Sequence, residues 1–134
     1  MAYENTPATP KIARNIVGWF EIYVQDLPRA KTFYENTFEV KLEPLPSPIV
    51  KMYEFPFSPE KPGCTGALVH MEGYKPGGNS TVVYFSCEDC AVEAARATQH
   101  GGRVLKEKFS IGEYGFISLV FDTEENLIGL HSLK

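Results

Sequence analysis

Twice in this chain an aspartate closes an apolar run and opens a helical one, and that recurrence limits the folds open to it. Asp26 follows Ile16-Val17-Gly18-Trp19-Phe20-Glu21-Ile22-Tyr23-Val24 and precedes Leu27-Pro28. Asp89 follows Thr81-Val82-Val83-Tyr84-Phe85-Ser86 and precedes an alanine-rich stretch. The β-branched and aromatic runs suit mostly buried strands. Pro28 suits a first helical turn, where its missing N–H is not needed. Ala30, Phe33, Tyr34 and Phe38 recur at helical spacing and form one apolar face, and Gly101-Gly102 supplies a stop for the second helix. Subtracting 26 from 89 gives an offset of 63, which also carries Trp19 to Val82 and Gly66 to Gly129.

Each helix is followed by three strand-like runs. Val40–Leu42, Val50–Phe55 and Gly66–Met71 complete the first set; Arg103–Lys108, Gly115–Phe121 and Leu127–Ser132 complete the second, with Asp122–Asn126 as the last hairpin turn. Gly73 and Pro76-Gly77-Gly78-Asn79 mark a linker. Two halves of one grammar predict an α+β domain built from a tandem repeat, with modules at about 15–73 and 79–134. Residues 1–14, with Pro7 and Pro10, read as a flexible lead-in. At 134 residues the chain is long enough for a single core.

A formal net charge of -4, with Lys and Arg scattered, excludes a nucleic-acid surface. No apolar stretch approaches bilayer length and no signal-peptide run opens the chain, so a cytoplasmic location with no membrane partner is expected. An odd number of cysteines, three, fits a reducing compartment.

Three stretches together resemble the glyoxalase/bleomycin resistance/dioxygenase (vicinal oxygen chelate) superfamily. They are Val24-Gln25-Asp26-Leu27-Pro28 through Phe33-Tyr34, Val83-Tyr84-Phe85-Ser86-Cys87-Glu88-Asp89 with the helix and Gly101-Gly102 after it, and Phe121-Asp122-Thr123-Glu124-Glu125-Asn126 through Ser132. The resemblance implies two βαβββ modules around an open, barrel-like cleft, frequent homodimers, and in metal-dependent members a divalent ion held by His and Glu. Carried over, the ion-binding positions fall on Trp19, Val82, Gly129 and Gly66; a one-residue slip gives Phe20, Thr81 or Ile128. None of these offers imidazole or carboxylate, so no metal and no other cofactor is expected. The first and last strands look closest to the uncharacterised, lactoylglutathione lyase-related group.

Strand alternation places Trp19, Glu21 and Tyr23 on one face, with Tyr84 beside Val82 and His131 beside Gly129. If that face lines the cleft, Trp19, Tyr23 and Tyr84 bind a small, partly apolar ligand, and Glu21 and His131 are the candidate acid and base. A desolvated Glu21 would have a raised pKa. The plainer reading leaves Glu21 exposed and His131 a hydrogen-bonded core residue. Three functions stay open: a glyoxalase-like binding protein, a drug-sequestering resistance-type protein, and a lyase or isomerase. Cys87-Glu88-Asp89-Cys90 is a C-x-x-C at a helix start, although adjacent carboxylates disfavour a thiolate. Cys64 reads as an idle thiol, His100 as a helix-end cap, and Ser110–Gly115 as a turn; which of Tyr53, Glu54 and His70 face the cleft is open. Phosphate-binding loops, a nucleophile elbow and HExxH are absent from the sequence.

Overall fold

The computed structural model describes residues 11–134, so most of the expected lead-in lies outside the described residues. Both aspartates cap helices. Asp26 has extended backbone and accepts the Arg29 N–H at 3.0 Å, opening α1 (Leu27–Phe38). Asp89 accepts the Ala91 N–H at 3.1 Å and opens α2 (Cys90–Gln99). Each cap satisfies donors that a first helical turn leaves unpaired.

Around α1 lie β1 (Phe20–Tyr23), β2 (Glu43–Pro44), β3 (Lys51–Glu54) and β4 (Gly66–His70), in the sheet order β1-β4-β3-β2. β5 (Val83–Ser86), β6 (Arg103–Ser110), β7 (Phe116–Phe121) and β8 (Leu127–Ser132) repeat the plan around α2 as β5-β8-β7-β6. In each sheet the first strand runs parallel to the last and the other pairs are antiparallel. The expected α+β fold of two βαβββ modules is therefore present. Among the described residues no helix is long and apolar enough to cross a membrane.

Several boundaries differ from expectation: β3 and β5 are shorter than Val50–Phe55 and Thr81–Ser86, β6 runs on to Ser110, and two further differences have visible causes. β1 is shorter than Ile16–Val24, and Ile16 and Val17 are exposed, because β4 begins at Gly66, opposite Phe20. Val40–Leu42 is not a strand. The Leu42 N–H goes to the Glu35 carboxylate at 2.9 Å, and ladder pairing starts one residue later, at Glu43 opposite Glu54.

Register corrects the repeat as well. Phe20 pairs with Gly66, and Val83 with Ile128. The first strands thus keep the offset of 63, whereas the last strands differ by 128 − 66 = 62. Ala67, rather than Gly66, is the counterpart of Gly129. One residue decides which face a side chain occupies, so the correction moves Gly66 off the face that carries Gly129.

The helix-covered faces form the core, where Ile22, Val24, Leu68, Ile128 and Leu130 meet Ala30, Phe33, Tyr34, Ala94 and Ala97. Phe38 stacks on Phe85 with centroids 4.5 Å apart and so joins the modules at one end. At the other end the Asp122–Asn126 turn does so with polar groups. The buried Asp122 carboxylate accepts the Tyr34 hydroxyl at 2.6 Å, the Glu124 N–H at 2.8 Å and the Asn126 N–H at 2.9 Å. Burial pushes this carboxyl above its ordinary range, against the pull of those donors. Glu124, its side chain fully enclosed, accepts the Gln25 and Asp26 N–H groups at 2.7 and 3.0 Å and pairs with the Arg29 guanidinium at 2.5 Å. Asn126 Nδ2 donates to the Tyr23 carbonyl at 3.0 Å.

Replacing Asp122 by alanine strands a buried hydroxyl and two backbone donors. Urea unfolding of Asp122→Ala is expected to show a loss of about 3 kcal/mol or more, against roughly 1–2 kcal/mol for Tyr34→Phe; an unchanged midpoint in Asp122→Ala would mean that the turn does not anchor the modules. Glu125 sits in the same turn with φ 65°, a backbone that favours glycine. Its ion pair with Arg103 is exposed and contributes little. Glu125→Gly is expected to raise the thermal midpoint by a few degrees, on the order of 1 kcal/mol.

Candidate ligand-binding cleft

The face of each sheet turned away from its helix carries the candidate residues. Glu21 and Tyr23 stand on this face of β1, and Trp19 precedes them. Trp19 Nε1 donates to Glu21 Oε2 at 3.1 Å, and the Tyr23 hydroxyl donates to Oε1 at 2.9 Å. That hydrogen bond to an anion raises the Tyr23 pKa above the ordinary phenol value. Tyr23 also stacks on Tyr74, with centroids 5.3 Å apart. Across the gap, β5 presents Tyr84. Trp19, Glu21, Tyr23 and Tyr84 together line a cavity of about 690 Å³ between the β1 and β5 edges, with Lys75, Asn79 and Asn126 at its margin. The expected desolvation of Glu21 is not found: the residue is exposed and its carboxylate is held by two donors.

His131 stands elsewhere. It is the cross-strand neighbour of Ser86 and Ile117, and with them, Ile111 and Tyr84 it lines an adjoining cavity of about 350 Å³. Its Nε2 lies 2.6 Å from the Tyr114 carbonyl and donates to it, which leaves Nδ1 as the ring's other polar atom. The Ser110–Gly115 segment, read as a turn, is one: a single 3₁₀ turn at Gly112–Tyr114, closed by the Ile111 N–H on Gly115 O at 2.9 Å. The structure thus groups Trp19, Glu21, Tyr23 and Tyr84, and places His131 in the adjoining cavity. Tyr84 lines both.

Glu21 pairs with Ala67 in the first sheet, and Tyr84 pairs with Gly129 in the second. A Cβ on Gly129 would lie 2.3 Å from the Tyr84 ring, so this place has room for no ligating side chain. Trp19 offers an N–H that is already bonded to Glu21. Ala67, Val82 and Gly129 have no donor atom in their side chains. Among the described residues no group of three or more His, Cys, Asp or Glu is placed to hold a metal ion. These residues do not fit the divalent ion of metal-dependent members.

Residues 16–130 match the Glyoxalase/Bleomycin resistance protein/Dioxygenase superfamily. The chain belongs to that superfamily. No curated protein matches it. Solved structures share the superfamily fold at low identity. Hypothetical protein SA1046 from S. aureus is 16% identical, with 89% of this chain and 95% of that one covered and a TM-score of 0.65. TnmS3, an antibiotic-binding protein from Streptomyces sp. CB03234, is 23% identical over 91% of this chain and 98% of its own, TM-score 0.66. A V278E mutant of glyoxalase I from Zea mays is 18% identical over 87% of this chain, TM-score 0.67, and the chain spans only 45% of its length.

Other polar residues of this superfamily member have structural places. Cys90 is buried, and its N–H goes to Ser132 Oγ at 3.0 Å. Burial and the nearby Glu93 carboxylate push the Cys87 thiol up to about 12. The C-x-x-C is therefore the start of α2. His100 ends that helix through its backbone N–H, which reaches Arg96 and Ala97 carbonyls. Tyr53 faces α1, with Lys31 Nζ 5.2 Å from its ring centroid, so Glu54 takes the open face. At pH 8 a thiol with a pKa of about 12 is ionised in about one molecule in ten thousand. Titration of the native protein with a thiol reagent at pH 8 is expected to modify Cys64 alone; rapid modification of Cys87 would overturn this description.

Proposed function

We propose that the β1–β5 cleft binds a small, planar, partly apolar molecule, and does so without a metal ion. The observation that carries this reading is Tyr84. Its ring lies against Gly129, the residue is half exposed, and it borders both cavities, so a flat ligand can stack on it and extend to either side. Glu21 stands in the larger cavity as an acceptor, so a ligand with an N–H or cationic group is favoured there, with Trp19 and Tyr23 as further aromatic surface. Sequestration of a drug-like compound is the form of binding this arrangement supports best, and TnmS3 is an antibiotic-binding protein with the same fold.

A second reading has one specific observation behind it. Because Tyr84 is common to both cavities, a ligand spanning it would meet Glu21 at one end and His131 at the other, the acid and base of a lyase or isomerase. The wider assignment is one unit over residues 15–134, in a cytoplasmic setting that the odd cysteine number favours, as a homodimer of the kind superfamily members often form; kinship with the lactoylglutathione lyase-related group rests on the Trp19-Phe20-Glu21-Ile22 and Gly129-Leu130-His131-Ser132 strands.

A thermal-shift screen with planar aromatic cations such as acridine dyes, run with and without divalent ions and a chelator, tests the proposal. A ligand at about a hundred times its Kd stabilises by roughly 2.7 kcal/mol, which is several degrees for a chain this size. The expected shift survives the chelator, falls about tenfold in affinity with Tyr84→Ala, and weakens with Glu21→Gln. Stabilisation by a metal ion alone, or its loss on chelation, would sink the metal-free reading. A Glu21→Gln variant that keeps affinity but loses turnover would favour the enzyme.

A further inference from the structure

We infer a second small-molecule site, on the helix-covered side of the first module, for an amphipathic carboxylate. A cavity of about 690 Å³ opens between the start of α1 and the β2–β3 hairpin, and it shares no lining residue with the cleft. That volume lies within the range of pockets that hold small organic ligands. The inference stands independently of the cleft reading.

The walls are apolar: Leu27 on one side, and Leu45, Pro46 and Val50 on the other. Proline fixes its own φ, so the hairpin wall is partly preformed and loses little freedom on binding. Ser47 Oγ holds the hairpin tip by accepting the Ile49 and Val50 N–H groups at 3.3 and 3.4 Å.

The polar groups converge on one face of the sheet. Lys51 is the cross-strand partner of His70, and Tyr53 is the next residue of β3 on the same side. His70 Nδ1 lies 3.0 Å from the Val24 carbonyl and donates to it, which fixes the ring and leaves Nε2 as its other polar atom. Among the described residues Lys51 takes part in none of the ion pairs, whereas Lys31, which lies over the Tyr53 ring, is paired with Glu35. Asp26 also borders the cavity and keeps its negative charge, but on the α1 side, where its Oδ1 caps the helix. On the sheet side the charge is the Lys51 ammonium. With the Tyr53 hydroxyl as a donor on the same face, this end selects an anionic head over a cationic one, and the apolar walls select an aromatic or branched aliphatic body.

Heteronuclear NMR titration with phenylbutyrate, phenylbutanol and phenylbutylamine tests the site. Phenylbutyrate is expected to shift resonances of Leu45, Val50 and His70, leave Trp19 and Tyr84 unmoved, and bind about tenfold more tightly than the amine. Lys51→Met, a change at an exposed residue, should weaken the acid about tenfold and leave the alcohol within about twofold. Leu45→Trp should fill the cavity and abolish binding of both, while Tyr84→Ala, which alters only the cleft, should change neither. Shifts confined to cleft residues, equal affinity for acid and amine, or indifference to Lys51→Met would each overturn the inference.

Discussion

The buried carboxylates of one hairpin turn hold the rest of the molecule in place. Asp122 orders its own turn through two backbone N–H groups and reaches across to the Tyr34 hydroxyl of the first helix. Glu124 caps the corner between β1 and α1 through two further N–H groups and the Arg29 guanidinium. A buried carboxylate is tolerated only when such donors surround it. Here the donors come from both modules, so satisfying the charge and docking the modules are one event.

The same turn sets the cleft. Asn126 Nδ2 binds the Tyr23 carbonyl, and its Oδ1 accepts the Gly77 N–H of the linker at 2.6 Å. Asn79, a few residues on, exchanges hydrogen bonds with both the N–H and the carbonyl of Leu127. β1, the linker and β8 are thereby tied at one corner of the cavity that Glu21, Tyr23 and Tyr84 line. Ligand surface on one module is thus positioned by backbone contacts of the other, a division that suits a preorganised pocket.

Much of this was legible in the sequence because its determinants are local. Asp26 and Asp89 cap helices by bonding two or three residues on, and alternation over Trp19, Glu21 and Tyr23 needs no partner strand. What was not legible depends on pairing. The single-residue difference between the two last strands is set by register, which turned Gly66 away from the face of Gly129. His131 is oriented by the carbonyl of Tyr114, 17 residues earlier, through a turn whose sequence carries no mark of that pairing. The first ladder residue of β2 follows from Glu35 taking the Leu42 N–H, a contact with no signature in spacing.

One consequence of the shared turn concerns how such a doubled chain comes apart. Cleavage near Gly77-Gly78 would leave one fragment whose strand–helix corner lacks Glu124, and another whose Asp122 lacks the Tyr34 hydroxyl and whose Glu124 lacks Arg29 and two backbone donors. Each fragment exposes what the other lacks. The severed halves would therefore reassociate as a heterodimer, and the covalent linker acts mainly to raise the local concentration of two complementary pieces.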